Sequence, residues 1–318
     1  MKAIVYEQYG SPEVLKLKEV EAPIPKDNEV LIRVHATAVN SGDVRLRKAD
    51  PFMVRLFFGL MRPKKPILGV VLSGEVEGAG KDVTRFKEGD QVYSATGMGL
   101  GAYAEYKCLA QDAVLALKPG NLTHKEAAAI PFGGTTALYF LRKAKIGSGQ
   151  KVLIYGASGS VGTAAVQLAK YFGADTTAVC STANVAMMKL LGADKVIDYT
   201  MEDFSKNGET YDIIMDTVGK SPFSASVRSL KKNGRYIRVV HIALAFIFKG
   251  IWISITGSKK VIGGSIKETA EDLVFFTGLI ESGKLKPVID RTYPLEQVAD
   301  AHYYVEKGHK KGNVVVTV

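Results

Sequence analysis

Over the first third of the chain, apolar and polar positions alternate with a period of two in short stretches. Ala3–Tyr6, Glu29–Ala38, Ser73–Gly78, Gln91–Ser94 and Tyr103–Leu109 read this way. Turn-forming clusters such as Pro23-Ile24-Pro25-Lys26-Asp27 and Lys87-Glu88-Gly89-Asp90 separate them. A period of two lays one face of each strand on a core, so this part predicts a mainly antiparallel, barrel-like domain. The pattern changes near Asn121-Leu122-Thr123. Thr123 is a candidate helix N-cap, and Glu126 stands three residues on, the spacing of a capping box. Beyond it, continuous apolar runs alternate with stretches of helical period. Strand Val152–Tyr155 precedes helix Thr163–Phe172, strand Thr176–Cys180 precedes helix Asn184–Leu191, and Lys195–Asp198, Asp212–Asp216 and Gly234–Val240 continue the series. Strands that are apolar throughout are covered on both faces, which predicts a parallel, doubly wound sheet.

The tail mixes types. Thr269–Ser282 is predicted helical with Leu273, Phe276 and Ile280 on one face, Val298–Glu306 is a second helix, and Asn313–Val318 is a strand. Its helix-then-strand order lacks a complete strand–helix–strand unit and is expected to return to the first domain. The expected organisation is an α/β chain, with a β domain over 1–122 and 264–318 and the doubly wound domain over 123–263. A length of 318 residues is consistent with two domains at ~150 residues each.

Composition narrows the function classes. Apolar residues make up 47% and charged residues 23%, which excludes a disordered chain and a coiled coil. Two cysteines, Cys108 and Cys180, make no disulfide framework, and the N-terminus enters a strand without an apolar signal core, so a reducing cytoplasm is expected. The net charge of +10 is scattered, in short clusters such as Arg62-Pro63-Lys64-Lys65 and His309-Lys310-Lys311. No basic helix or aromatic-interleaved strip accompanies it, so no nucleic-acid partner is expected.

The motif richest in chemistry is Gly156-Ala157-Ser158-Gly159-Ser160-Val161-Gly162, which follows an apolar strand and opens a helix. In that setting Gly156 permits a tight turn, Gly159 admits a pyrophosphate to the backbone, and Gly162 lets the helix pack on the strand. Helix-start N–H groups then bind the phosphates. The spacing is Gly-x2-Gly-x2-Gly, and by itself it also suits a plain strand-to-helix turn. At the end of the next strand an NAD enzyme carries an acid for the ribose hydroxyl. Here the chain reads Cys180-Ser181-Thr182-Ala183-Asn184, with no acid before Asp194. Hydroxyls and an amide can bind a 2′-phosphate where a carboxylate would repel it, which favours NADPH. Ser181 serves equally as a helix cap.

These features together resemble the medium-chain dehydrogenase/reductase superfamily, and within it the zinc-free quinone oxidoreductase and enone reductase branch. The likeness runs through Met1-Lys2-Ala3-Ile4-Val5, Val39-Asn40-Ser41-Gly42-Asp43, Asp82–Val92, Pro131–Ala137, Gly156–Gly162, Leu191–Tyr199 and Gly312–Val316. It implies a Rossmann dinucleotide-binding domain joined to a GroES-like catalytic domain. It also implies that Thr136 lies near the nicotinamide, that Ser181, Thr182 and Asn184 form the 2′-phosphate loop, and that Tyr199 lies near the adenosine. Val218 and Gly219 would line the ribose, and Asn313 would join the cofactor residues. Related chains often carry a base where this one has Ala183 and a lysine where it has Asn313.

Zinc is not expected. Where zinc alcohol dehydrogenases carry Gly-His-Glu this chain has Gly69-Val70-Val71, and Asn40 stands near the place of the first zinc cysteine. His35, His124, His241, His302 and His309 include no pair at ligand spacing. Without a Lewis acid, the chemistry left is hydride transfer to an electrophilic acceptor, a quinone or an α,β-unsaturated carbonyl. The resemblance places Asn40 in the active-site cleft, where its amide can donate to the developing oxyanion; it also reads as a buried turn-former. Asp43 either orders that loop or takes a catalytic part. Tyr6, Arg45 and Arg47 are candidate pocket residues. A second class of reading is an NADPH-binding sensor or membrane-associated partner protein with little catalysis. The run Ile242–Ile255 motivates it; the run is too short and interrupted to span a bilayer, and lines either the substrate cleft or a subunit interface, or forms a monotopic hairpin. Membrane contact is not expected. A homodimer is expected, through an edge strand near Lys259–Gly263.

Overall fold

The computed structural model describes residues 1–240, 250, 252–255 and 257–318. The chain divides into two compact units, Met1–Phe132 with Glu268–Val318, and Gly133–Lys267. The helix His124–Ala128, with the reciprocal Thr123–Glu126 capping box that its sequence announces, packs on strands of the first unit and belongs to it.

The first unit is a mainly antiparallel sheet of seven strands. In order these are Ile289–Pro294, Asn313–Thr317, Glu29–Val39, Val71–Ala79, Gln91–Ala95 and Leu115–Leu117, with Tyr106–Ala110 also paired to Glu29–Val39. A separate pair joins Lys2–Val5 to Lys16–Glu19. The long strand Glu29–Val39 alternates as its sequence does, with Val30, Ile32 and Val34 at 2% exposure or less. Each such side chain contributes ~1.5–3 kcal/mol by leaving water. Two clusters follow from this packing, one around Val30, Ile32, Leu72 and Val92, the other around Ile4, Tyr6, Leu68, Tyr103 and Val298.

One expectation is corrected here. The tail does contain a complete strand–helix–strand unit: Ile289–Pro294 and Asn313–Thr317 pair in parallel, with the helix Val298–Glu306 between them. The first strand reads Ile-Asp-Arg-Thr-Tyr-Pro and lies partly to fully exposed at the sheet edge, so no apolar run marks it. Glu268–Val318 belongs to the first unit.

The second unit holds a six-stranded parallel sheet in the order Lys195–Asp198, Asp175–Cys180, Lys151–Tyr155, Tyr211–Asp216, Leu230–Arg238, Lys260–Ile262. All five pairings are parallel. Val152, Leu153, Ile154, Ile213, Ile214 and Met215 are fully buried, which is why these strands read as unbroken apolar runs. The chain winds outward from Lys151–Tyr155 in one direction, then returns to place Tyr211–Asp216 on its other side. That reversal is the switch point at which such sheets bind ligands, beyond the carboxyl ends of the strands. The strand Lys260–Ile262 forms one sheet edge. Most of the run Ile242–Ile255, with the readings attached to it, lies outside the described residues. Among the described residues no helix is long and apolar enough to cross a membrane.

Candidate active site: a glycine cradle and a capped asparagine

At the carboxyl end of Lys151–Tyr155 the backbone turns through Gly156 at φ 77°. Glycine is required there twice over, since a Cβ would also stand 2.7 Å from Val218 Cγ1 and 2.8 Å from Thr217 Oγ1. A Cβ on Gly162 would stand 2.4 Å from the Gly156 carbonyl oxygen, so Gly162 lets the helix Ser160–Tyr171 close onto the turn. Gly159 differs from both. It caps that helix without a side-chain bond, and a Cβ there would meet only Gly156 O at 3.8 Å. The fold itself does not need glycine at 159. What the missing side chain keeps clear is the space before the helix N-terminus, where backbone N–H groups and the helix dipole attract an anion. Ala157, Ser160 and Val161 are buried under the turn, and Ser158 is partly exposed.

Neighbouring loops are tied to this cradle. Thr217 Oγ1 donates to the carbonyls of Tyr155 and Gly156, both at 3.0 Å. The fully buried carboxylate of Asp216 accepts from the N–H groups of Val218 at 3.0 Å, Gly219 at 2.7 Å and Ser221 at 2.9 Å. Asp216 is thus the residue that shapes the Val218-Gly219 loop, and sequence reading passed over it as the last residue of a strand. The helix Pro131–Lys143 carries the buried Thr136, and its Gly133 allows close approach, since a Cβ there would stand 2.4 Å from Ser160 O.

The next strand ends in the turn Ser181-Thr182, followed by the buried Asn184, whose Nδ2 donates to Ser181 Oγ at 3.0 Å. The Asn184 Oδ1 is buried without a partner. Tyr199 is exposed. The turn lacks an acid of its own, but the sheet supplies one: Asp198 pairs with Cys180 in the parallel register, at the same end of adjacent strands. Hydrogen bonds from Thr182 and Thr200 hold the Asp198 carboxyl below the usual carboxylate range. Sequence order hides this, because Asp198 follows the turn by more than a dozen residues.

Asn40 and Asp43 come together in the first unit. Asn40 caps the helix Ser41–Lys48: its Oδ1 accepts from the N–H of Gly42 at 2.7 Å and of Asp43 at 3.2 Å. Asp43 returns the bond, its Oδ2 accepting from the Asn40 N–H at 3.1 Å, while Oδ1 accepts from Gly69 N–H at 3.2 Å. With its oxygen so committed, the Asn40 Nδ2 is buried and has no partner. Asp43 has no exposed surface, and burial pushes its carboxyl up to about 7. Asn313, which the resemblance groups with the cofactor residues, lies in this same unit. Val314 pairs with Val39, so Asn313 and Asn40 stand at the same end of adjacent strands. The Asn313 Nδ2 donates to Val288 O at 3.1 Å.

Beneath Asn40 lies a polar cluster that sequence reading missed. The Tyr103 hydroxyl faces Asp43 without completing a hydrogen bond, and burial with the Asp43 charge raises its pKa. Its ring meets His302 edge-on at 5.8 Å. Burial, with Arg47 beside it, pushes His302 down to about 3, and neither ring nitrogen has a partner. The buried Arg47 donates through Nη2 to Glu306 Oε2 at 2.6 Å, and Lys48 also pairs with Glu306. Arg47 and Tyr6 are therefore core groups, each at most 1% exposed. The cluster draws on three separate segments, and no local pattern announces it.

A doubly wound parallel sheet with a glycine cradle at its switch point, carried in one chain with a mainly antiparallel β unit, fits a two-unit oxidoreductase that uses a nicotinamide cofactor. Residues 26–119 match the alcohol dehydrogenase GroES-like domain, and residues 191–316 match the zinc-binding dehydrogenase family. The chain is 34% identical to a chloroplast envelope quinone oxidoreductase homolog of Arabidopsis thaliana, over 99% of this chain and 98% of that one. It is 33% identical to an NADPH-dependent alkenal/one oxidoreductase of the same plant, over 99% of this chain and 79% of that one. The solved quinone oxidoreductase of Coxiella burnetii superimposes with a TM-score of 0.91 at 33% identity, covering 100% of this chain and 99% of that one. The chain belongs to the medium-chain dehydrogenase/reductase superfamily, in its branch of quinone oxidoreductases and enone reductases.

The described residues fit a dinucleotide and do not fit zinc. The open space at Gly159, bounded by two glycines that the fold itself requires, is a cradle that a Cβ would fill. Among the described residues no three His, Cys, Asp or Glu side chains gather to hold a metal ion. Asn40 and Gly69-Val70-Val71 offer no thiolate, imidazole or carboxylate, and Cys108 and Cys180 lie in different units.

Proposed function

We propose that this chain is an NADPH-dependent, zinc-independent reductase of quinones and α,β-unsaturated carbonyls. The observation that carries the reading is the Asn40 Nδ2, a buried N–H donor left without a partner while its own Oδ1 is fixed by the helix cap. A buried donor without a partner costs ~1–3 kcal/mol. An acceptor oxygen would relieve that cost, most of all as negative charge develops on it. The nicotinamide supplies the hydride when bound. Gly156–Gly162 and the loop Val218-Gly219 would hold the pyrophosphate and ribose, with Thr136 toward the nicotinamide. Ser181, Thr182, Asn184 and Tyr199 would hold the adenosine end and its 2′-phosphate. Asn40 then orients the carbonyl oxygen of the acceptor and stabilises the enolate or hydroquinone anion. Asp43 is a positioning residue: its Oδ2 closes the cap that aims Asn40. Water protonates the product.

Support for NADPH comes from the alkenal/one reductase relative, whose name states that dependence, and from the Ser181-Thr182 turn, whose own residues carry no acid while Asp198 stands beside it on the adjacent strand. The free thiols of Cys108 and Cys180 are in keeping with a reducing cytoplasm. The edge strand Lys260–Ile262 is the surface we assign to a homodimer. The test is NADPH oxidation with a panel of quinones and enones, with and without a chelator. Turnover that needs no added metal is expected. Tight NADPH binding with no turnover on either acceptor class would overturn the reading.

A further inference from the structure

One surface of the first unit carries chemistry that the proposed reaction does not use. Over ten residues, Phe52, Met53, Leu56, Phe57, Leu60 and Met61 are between 57% and 88% exposed. Apolar side chains at this density are uncommon on a free surface. They are not a frayed loop. The Tyr9 hydroxyl donates to Gly59 O at 2.8 Å, and the Arg55 guanidinium stacks on the Tyr9 ring at 4.9 Å. Lys64 N–H donates to Phe58 O at 2.7 Å, while Phe58 packs on the core cluster and Pro63 is buried. The segment is pinned from beneath, and its large apolar groups point outward.

The charge around this knob is one-sided. Between residues 50 and 66 the bases are Arg55, Arg62, Lys64 and Lys65, and the single acid is Asp50. Arg62, Lys64 and Lys65 are exposed. Lys65 donates to Met98 O at 2.9 Å, which extends the surface to Met98, 66% exposed. A second copy docked here about a two-fold axis would set these bases against one another. An anionic bilayer meets both features at once: the apolar groups reach the acyl boundary and the bases sit among the headgroups. Stable membrane attachment takes such a pair of signals.

We infer that the segment Phe52–Lys65 docks the protein on the surface of an anionic lipid bilayer. The test is co-sedimentation of the full chain with vesicles of phosphatidylcholine alone and of phosphatidylcholine with phosphatidylglycerol. Binding to the anionic vesicles is expected, with a loss of about 30-fold for Arg62→Ser with Lys64→Ser, from the usual gain per base. A loss of at least about tenfold is expected for Phe57→Ser with Leu60→Ser. Raising the salt to about 0.5 M should release the protein. Because these side chains are exposed, both variants should keep the parent melting temperature. Absence of binding to anionic vesicles, equal binding to neutral ones, or unchanged binding of well-folded variants would overturn the inference. So would self-association abolished by Phe57→Ser with Leu60→Ser in a chain that ignores vesicles, which would assign the surface to a second copy.

Discussion

In the proposed reaction Asn40 has two jobs on two atoms, and substitution can part them. Its Oδ1 caps the helix Ser41–Lys48 through Gly42 and Asp43 at 2.7 and 3.2 Å, and its Nδ2 is the unpartnered donor. Asn40→Ser keeps a cap of nearly equal strength and removes the amide donor, whereas Asn40→Ala removes both. The donor should be worth ~10²–10³ in kcat, the scale of one oxyanion contact. The cap should be worth ~1 kcal/mol, or about 2–4 °C in melting temperature for a unit of this size. Both variants should therefore lose about 10²-fold in kcat/KM for quinone and enone acceptors. Only the alanine variant should melt lower, and NADPH affinity should be unchanged in both. Steady-state kinetics and thermal melts on the same preparations read these quantities. Full turnover in Asn40→Ser would remove the amide from the reaction. Equal falls in melting temperature for both variants would show that the rate follows structure and not the donor.

The cradle predicts a contrast: Gly159→Ala should keep the melting temperature and weaken NADPH binding by about tenfold or more, as a Cβ enters the phosphate space. Gly162→Ala should lower the melting temperature, because its Cβ would stand 2.4 Å from a backbone oxygen; calorimetry and fluorescence titration distinguish the two. Asp198→Asn should raise the preference for NADPH over NADH, by about fivefold in the ratio of kcat/KM values, because a charge beside the proposed 2′-phosphate site disappears. An unchanged ratio would place the phosphate elsewhere. Asp43 keeps its proton up to about pH 7 when folded, against an ordinary value of 3.8, so its contribution to stability is full below about pH 4 and is lost as pH rises through 7. His302, held near 3 against 6.5, acts in the opposite sense: its contribution is full above 6.5 and is lost on acidification. The two slopes oppose each other between them, so Asp43→Asn should steepen the fall in melting temperature from pH 6.5 to pH 4. Parallel curves for parent and variant would show Asp43 ionised in the folded state.

The parallel sheet was legible in the sequence because burial on both faces leaves unbroken apolar runs, as at Val152–Tyr155 and Asp212–Asp216. The cradle was legible because a strand, a positive-φ turn and a helix start are consecutive in the chain. The capping box at Thr123 was local in the same way. What escaped was set by contacts distant in sequence. Ile289–Pro294 is a strand only because Asn313–Thr317 offers it a ladder, and its exposed residues carry no pattern of their own. Asp198 stands beside the Ser181-Thr182 turn only through the parallel register. Asp43, Tyr103, Arg47 and His302 share one interior although they come from three segments. Phe52–Met61 is rich in apolar residues, but hydropathy says which groups avoid water and not which way the backbone turns them. The order of residues determined which elements form. Tertiary packing decided which side chains were buried together, and so which carboxyl holds its proton, which amide goes unpaired and which apolar groups face out.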